Sequence, residues 1–245
     1  MAVKIGSARI DENGHATGGK AGDQTGKEVS TQSWYKHKKG WIVLRAINST
    51  CAEKIAQDMQ YACDNKYIGY DQNQRNTLYN IAKQYDFNCK LVKKACETDC
   101  SALVRVCLAY AGINVPNFRT SNEAKIIMET GKFIKLTDAK YTDSDKYLLR
   151  GDILVTKTQG HTVVVLTNGA NATPRDTNLT IDEIMITGGS VYVRNEPNIN
   201  GKVMGIVKMG ETYKYIDTCE NGWYAIEYKQ EKGYISNKYT IPIYK

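Results

Sequence analysis

The chain of 245 residues holds no run of eighteen or more apolar residues, so no segment is expected to span or insert into a membrane. Its opening stretch, Met1 to Ser7, lacks the long apolar core of a secretion signal, and export by a signal peptide of its own is not expected. None of the seven cysteines forms a CxxC pair and their number is odd, which argues against a disulfide framework and a ribbon-type zinc site. Folding in a reducing cytoplasm is the simpler expectation. Histidine is scarce, with three in the chain. Basic residues form only short runs, Lys36 to Lys39 and Lys90 to Lys94, so the clustering that marks a nucleic-acid binder is missing. The formal charge of +7 still favours a polyanionic surface, without choosing among nucleic acid, anionic lipid and an acidic wall polymer.

What is present is a chain with 42% hydrophobic residues, enough for one large or two modest domains. The first fifty residues read as irregular and glycine-rich, with strand-like pieces at 28–35 and 41–45. Ser49 is placed to cap an amphipathic helix whose Ala52, Ile55, Ala56, Met59, Ala62 and Cys63 recur at three- and four-residue spacing. A second helix is expected over 72–84. A third runs from Cys100 to about Ala111 and stops at Gly112, and a fourth covers 121–131. Residues 152–156 and 162–167 read as two strands joined by a tight turn. Helices followed by strands predict an α+β domain. Asn168 to about Gly188 reads as a linker. Beyond it, five short strand patterns between Val191 and Ser236 predict a small β-barrel.

Chemistry concentrates at Cys100, in Thr98-Asp99-Cys100-Ser101, at the first turn of the third helix. The amide groups of a helix N-terminus favour a thiolate and can stabilise an oxyanion. Asp99 would raise the thiol pKa unless spent as the helix cap. His161, at the head of a strand, supplies a base, and a thiolate–imidazole pair would be a nucleophile for amide carbonyls. Residues 161, 163 and 165 share a strand face, so the imidazole is expected to head a row of valines packed on the Cys100 helix. Asn168 lies too far along an extended strand, roughly 23 Å at about 3.3 Å per residue, to orient that imidazole. The stretch from Gly22 to Glu28, with Asp23 and Gln24, is the expected source of an orienting or substrate-binding group. Cys51, Cys63 and Cys107 read as core residues and His15 and His37 as surface ones. Cys96, Cys100 and Cys107 match no zinc spacing, and neither metal nor cofactor is expected.

The segment Asp99-Cys100-Ser101-Ala102-Leu103-Val104 resembles the nucleophile motif of the NlpC-type cysteine peptidases, close to the CHAP amidases, with Ala102 in place of the usual Gly. Gly151-Asp152-Ile153-Leu154 and Gly160-His161-Thr162-Val163 are similar to that family's two following segments. The resemblance implies a papain-like α+β fold, helices packed on an antiparallel sheet, with Cys100 as nucleophile and His161 as base. It further implies that Tyr70 lines the site. The usual third polar residue would fall near Thr173, where no such residue pattern stands. Val191-Tyr192-Val193-Arg194 with Pro197, Gly222-Trp223-Tyr224 and Gly233-Tyr234-Ile235 resemble a bacterial SH3-like domain, which implies an aromatic-lined groove drawn from Tyr192, Tyr213, Trp223, Tyr224 and Tyr234.

Together these features predict a peptidase domain over 1–168, a linker over 169–187 and a wall-binding SH3-like barrel over 188–245. The expected activity is cleavage of a peptidoglycan amide by a Cys-His thiolate mechanism, as endopeptidase or N-acetylmuramoyl-L-alanine amidase, in a phage or prophage endolysin. The expected partners are peptidoglycan and anionic wall polymers, for a monomer held in the host cytoplasm until lysis. A non-catalytic wall-binding protein, with Cys100 as core, is the alternative.

Overall fold

Ala52, Ile55, Ala56, Met59 and Ala62 form the buried stripe of the first helix, α1 (Ser49–Cys63). Its cap is Asn48, one residue earlier than expected, whose Oδ1 accepts the Cys51 N–H at 2.9 Å. The computed structural model describes residues 2–173 and 181–244. They fall into two compact units, Met1–Arg175 and Asp176–Lys245.

The first unit is built on a six-stranded antiparallel sheet. Its strands are β1 (Lys4–Ala8), β2 (Val29–Ser33), β3 (Trp41–Ala46), β6 (Phe133–Leu136), β7 (Ile153–Thr156) and β8 (Thr162–Val165), in the order β2-β1-β8-β7-β3-β6. A separate parallel pair joins β4 (Ile68–Tyr70) to β5 (Cys96–Thr98). Four further helices follow α1: α2 (Thr77–Ala82), α3 (Cys100–Tyr110), α4 (Glu123–Met128) and α5 (Ala139–Thr142). The helix expected from residue 72 starts five residues later, because Asp71 Oδ1 takes the amides of Asn73 and Gln74 into a turn. Gly112, at φ +79°, ends α3 region as expected, in the left-handed conformation that glycine adopts without strain.

Both faces of the sheet are covered. On one, Leu44, Ile153, Val155 and Val164 pack with α1 and with Leu103, Val104 and Cys107 of α3. On the other, Val3, Ile5, Trp41, Val43, Leu154, Val163 and Val165 form a second apolar layer, flanked by Trp34, Tyr35 and Tyr141. Alternation along β8 therefore sends Val163 and Val165 away from α3, and Val164 toward it. The valine row expected against the Cys100 helix lies on the opposite face. An uninterrupted apolar run cannot show which of its faces meets a helix when both are buried. Gly6 lets β1 approach α1, since a Cβ there would fall 2.8 Å from Met59 Cγ.

The second unit is a seven-stranded antiparallel sheet. Its strands are β9 (Ile181–Ile186), β10 (Ser190–Arg194), β11 (Val203–Lys208), β12 (Thr212–Thr218), β13 (Tyr224–Tyr228), β14 (Glu231–Ile235) and β15 (Thr240–Tyr244), in the order β11-β10-β14-β13-β12-β9-β15. Five of them stand where the sequence placed strands. β9 lies inside the stretch read as linker: Ile184 and Ile186 point into a core with Val191, Val193, Val207, Ile226 and Ile235. The Asn-, Thr- and Pro-rich composition ahead of it hid that alternation, and residues 174–180 of the expected linker lie outside the described residues. β15 carries Pro242, tolerated because this strand is an edge of the sheet. Of the aromatics considered for a groove, Tyr224 is buried, Tyr213, Trp223 and Tyr234 are half-buried, and Tyr192 is exposed.

Candidate active site

Cys100 opens α3, and Asp99 caps it. The cap residue is extended, at φ −114° and ψ 177°, and its Oδ1 accepts the Ala102 N–H at 2.7 Å and the Ser101 hydroxyl at 3.0 Å. This is the role the sequence assigned to Asp99. What the sequence did not give is Arg75, buried, which donates Nε to Asp99 Oδ2 and Nη2 to Asp99 Oδ1, the latter at 3.0 Å. Its Nη2 also reaches Ser101 Oγ and the Phe118 carbonyl, both at 2.7 Å, and Nη1 reaches Asn117 Oδ1 at 3.0 Å. One guanidinium thus fixes the residues on both sides of the thiol. A lone Arg among Asn and Gln residues carries no sequence signal for a partner 24 positions away.

The thiol is 8% exposed. The backbone N–H groups of Thr162 and Ser101 lie near enough to the sulfur to favour its thiolate, and Thr162 is the residue after His161. Thr162 is also the first residue of β8, so the thiol meets that strand at its beginning. Burial pushes the Cys100 thiol up to about 12, with the Asp99 and Glu123 carboxyls adding to the rise against the two amides. The helix N-terminus is thus overridden, and the lowered thiol pKa expected from it is not observed.

His161 sits in the turn before β8. It donates its N–H to Thr156 Oγ1 at 3.0 Å and accepts the Thr156 N–H at 3.0 Å on its carbonyl. Burial brings its imidazole down to about 4, and the charges of His37 and Arg9 push the same way while Asp99 opposes them. At neutral pH, then, neither the thiol nor the imidazole carries a charge. His161 lines an open cleft of about 470 Å³ with Arg9, Ile10, Gln32 and Tyr35. The charge of a Cys100 thiolate reaches Tyr35 of that cleft, where it adds to the rise that burial causes in the phenol. No carboxylate lines that cleft. His37, expected at the surface, is half-buried with its ring 5.1 Å from that of Trp41.

Tyr70 is buried in β4. Its hydroxyl accepts Gln72 Nε2 at 3.0 Å, and burial raises it to about 12, with Cys100 and Asp99 contributing. It therefore stands in the surroundings of the thiol. Asp23 is spent within its own loop, its Oδ1 accepting the Thr25, Gly26 and Lys27 amides. Gln24 likewise donates its side chain to the Ala21 and Gly22 carbonyls. The loop reaches Tyr70 only through buried Glu28, which accepts the Gln24 and Tyr70 amides. Neither Asp23 nor Gln24 lines the His161 cleft. Asn168 Oδ1 accepts the Arg150 N–H, in line with its exclusion as an orienting group. All seven cysteines are unpaired, and among the described residues no group of three or more His, Cys, Asp or Glu is placed to hold a metal.

Glu123, fully buried at the start of α4, accepts the Thr162 hydroxyl at 2.7 Å on Oε1, while Oε2 has no partner. Burial raises its carboxyl to about 8. Glu97 is likewise raised to about 8 and Asp58 to about 7, burial being the largest cause in each. Such groups hold protons in the fold that the unfolded chain, with carboxyl pKa near ~4, has released. Their contribution is fully present below that value and is lost as pH rises through about 7 to 8. His161 works in the opposite sense, costing stability as pH falls from about 6.5 toward 4. Glu123→Gln, which keeps an amide oxygen for Thr162, is expected to stabilise the protein at pH 8 by about 1 kcal/mol or more and to be near neutral at pH 5. Urea unfolding at the two pH values measures this; equal effects would mean that Glu123 is not held protonated.

Among known families, the endolysin-like domain matches residues 5–172 and the bacterial SH3 domain matches residues 189–241. No curated protein matches the chain.

Proposed function

The chain belongs to the endolysin-like domain family, and from that membership and its bacterial SH3 domain we propose that it is a peptidoglycan hydrolase that cleaves wall amides with Cys100 and His161. The observation that carries the reading is that the strand after His161 packs Val164 in one core with Leu103 and Val104 of the helix that Cys100 opens, which brings the two segments together. In the proposed reaction the imidazole of His161 takes the thiol proton as sulfur adds to the amide carbon. It then returns that proton to the departing amine. Water hydrolyses the resulting thioester and regenerates the thiol. The Ser101 and Thr162 backbone N–H groups near the sulfur would favour the thiolate against burial.

The same chemistry serves an endopeptidase and an N-acetylmuramoyl-L-alanine amidase. A papain-like fold of the NlpC or CHAP type is supported by the helix-borne cysteine beside the antiparallel sheet that carries the histidine. The C-terminal unit would hold the enzyme on its insoluble substrate, raising local concentration as linked modules do. A phage or prophage lysin would accumulate in the host cytoplasm until lysis and then act on the wall.

One observation favours a non-catalytic wall-binding protein: thiol and imidazole both rest uncharged. Under the hydrolase reading this is a resting state from which substrate binding drives proton transfer. Alkylation by iodoacetamide tests it. The rate at Cys100 is expected to rise about tenfold per pH unit with no plateau below pH 10, and alkylated protein is expected to lose wall clearing. Full alkylation of Cys100 with undiminished clearing would exclude the nucleophile.

A further inference from the structure

A second cleft, of about 380 Å³, is lined in part by Arg75. Its walls are the turn that precedes α2, with Gln72, Asn73 and Asn76, and the segment joining α3 to α4, with Arg119 and Asn122. The volume is within the range of small-ligand sites, ~300–1,000 Å³. Two connections tie it to the reacting pair. Arg75, part of its lining, grips Asp99 and Ser101 on either side of Cys100. Thr120, between the lining residues Arg119 and Ser121, accepts the Gly160 N–H at 3.0 Å, next to His161.

The lining has a definite chemistry. It holds two guanidinium groups and no carboxylate. Arg75 is committed to Asp99, whereas exposed Arg119 is in no ion pair among the described residues. Asn76 Oδ1 is buried without a hydrogen-bond partner, an acceptor waiting for an N–H. Of the other amides, Asn117 and Asn122 hold Arg75 and the Arg119 N–H with their oxygens, and Gln72 donates to Tyr70. A ligand that fits offers a carboxylate to Arg119 and peptide N–H groups to Asn76 and its neighbours.

We infer that this cleft binds an acidic peptide segment flanking the scissile amide, with Arg119 pairing to a free carboxylate of the wall stem peptide. The inference rests on the hydrolase reading for its place in catalysis, but the binding it describes is measurable without turnover. Arginine suits the task because its planar fork matches a carboxylate with two hydrogen bonds.

The test uses the full chain with Cys100→Ser, which cannot turn over, and calorimetric titration with synthetic alanyl-γ-glutamyl-lysine and with its fully amidated form. The free acid is expected to bind about tenfold more tightly than the amide, and Arg119→Ala in the same background to erase that difference while leaving amide binding unchanged. Arg119→Lys should recover only part of it. Equal affinity for the two peptides, no binding of either, or a preference that survives Arg119→Ala would overturn the inference. In the active chain, Arg119→Ala should raise KM on untreated walls with little change in kcat, and change neither on carbodiimide-amidated walls. Absence of clearing by the parent chain would instead refute the hydrolase reading, which the titration does not depend on.

Discussion

Cys100→Ser is expected to reduce clearing of purified cell walls by roughly 10³-fold or more, while sedimentation of the protein with those walls is unchanged. The separation follows from the architecture. The substitution removes one sulfur at the start of α3 in the first unit, and the sheet of the second unit closes its own core around Val193, Ile226 and Ile235. Serine fits the space of the thiol, so the fold should not suffer. Its hydroxyl, however, is far less acidic than a thiol, and the His161 imidazole proposed as its base is a weak one, brought down to about 4 by burial. Proton transfer to His161 would then have no adequate driving force. Turbidity of a wall suspension and a pelleting assay measure the two quantities. Clearing that survives the change would leave only the wall-binding reading. If clearing is lost as expected, the fragments released by the parent chain settle the bond: new free amino groups on stem residues mean an endopeptidase, intact stems freed from glycan mean an amidase.

The largest stability effect should come from Arg75. Its guanidinium is buried and makes five hydrogen bonds, to Asp99, Ser101, Asn117 and the Phe118 carbonyl. Arg75→Met removes one partner and leaves the Asp99 carboxylate buried and uncompensated, a change that costs about 3–5 kcal/mol. It should also disable the site in protein that remains folded. An unpaired carboxylate beside the sulfur raises the thiol further, and the loop carrying Thr120 loses its anchor at Phe118. Asp99→Asn, combined with Arg75→Met, removes the stranded charge while an amide still caps α3, and is expected to recover more than half of the lost stability. Guanidinium unfolding of the single and double variants gives the comparison. A single variant within about 0.5 kcal/mol of the parent would show that the pair contributes little.

Much of this was legible because the signals are local. Helix α3 was visible from the Asp99 cap, the apolar stripe and Gly112, and five strands of the second unit from alternation between Gly- and Asn-bearing turns. β1 escaped because Lys-Ile-Gly-Ser-Ala has little strand character of its own and is made a strand by pairing with β2 and β8. β9 escaped for a different reason: its Ile184 and Ile186 alternate as a strand should, but the Asn-, Thr- and Pro-rich residues ahead of it drew the whole stretch into a linker reading. At the site, Asp99 was read correctly as a cap, since capping depends on residues two and three positions away. Arg75 and Glu123 were not found, because they reach the neighbours of Cys100 and His161 from distant segments and neither lies in a motif. Asp23 and Gln24 were chosen for their polarity, yet a polar loop satisfies its own amides first, as Asp23 does.

The order of residues by itself determined a cysteine at a capped helix start, a histidine at a strand start, and a C-terminal run of short strands. Only the folded chain decided which face of β8 meets α3, that burial keeps the Cys100 thiol and the His161 imidazole uncharged, and that a guanidinium 25 positions upstream secures the thiol's neighbours. The division has one cause. Caps, turns and periodicity are fixed by interactions within a few residues, whereas burial and charge pairing depend on the sum of groups that distant segments bring to one place.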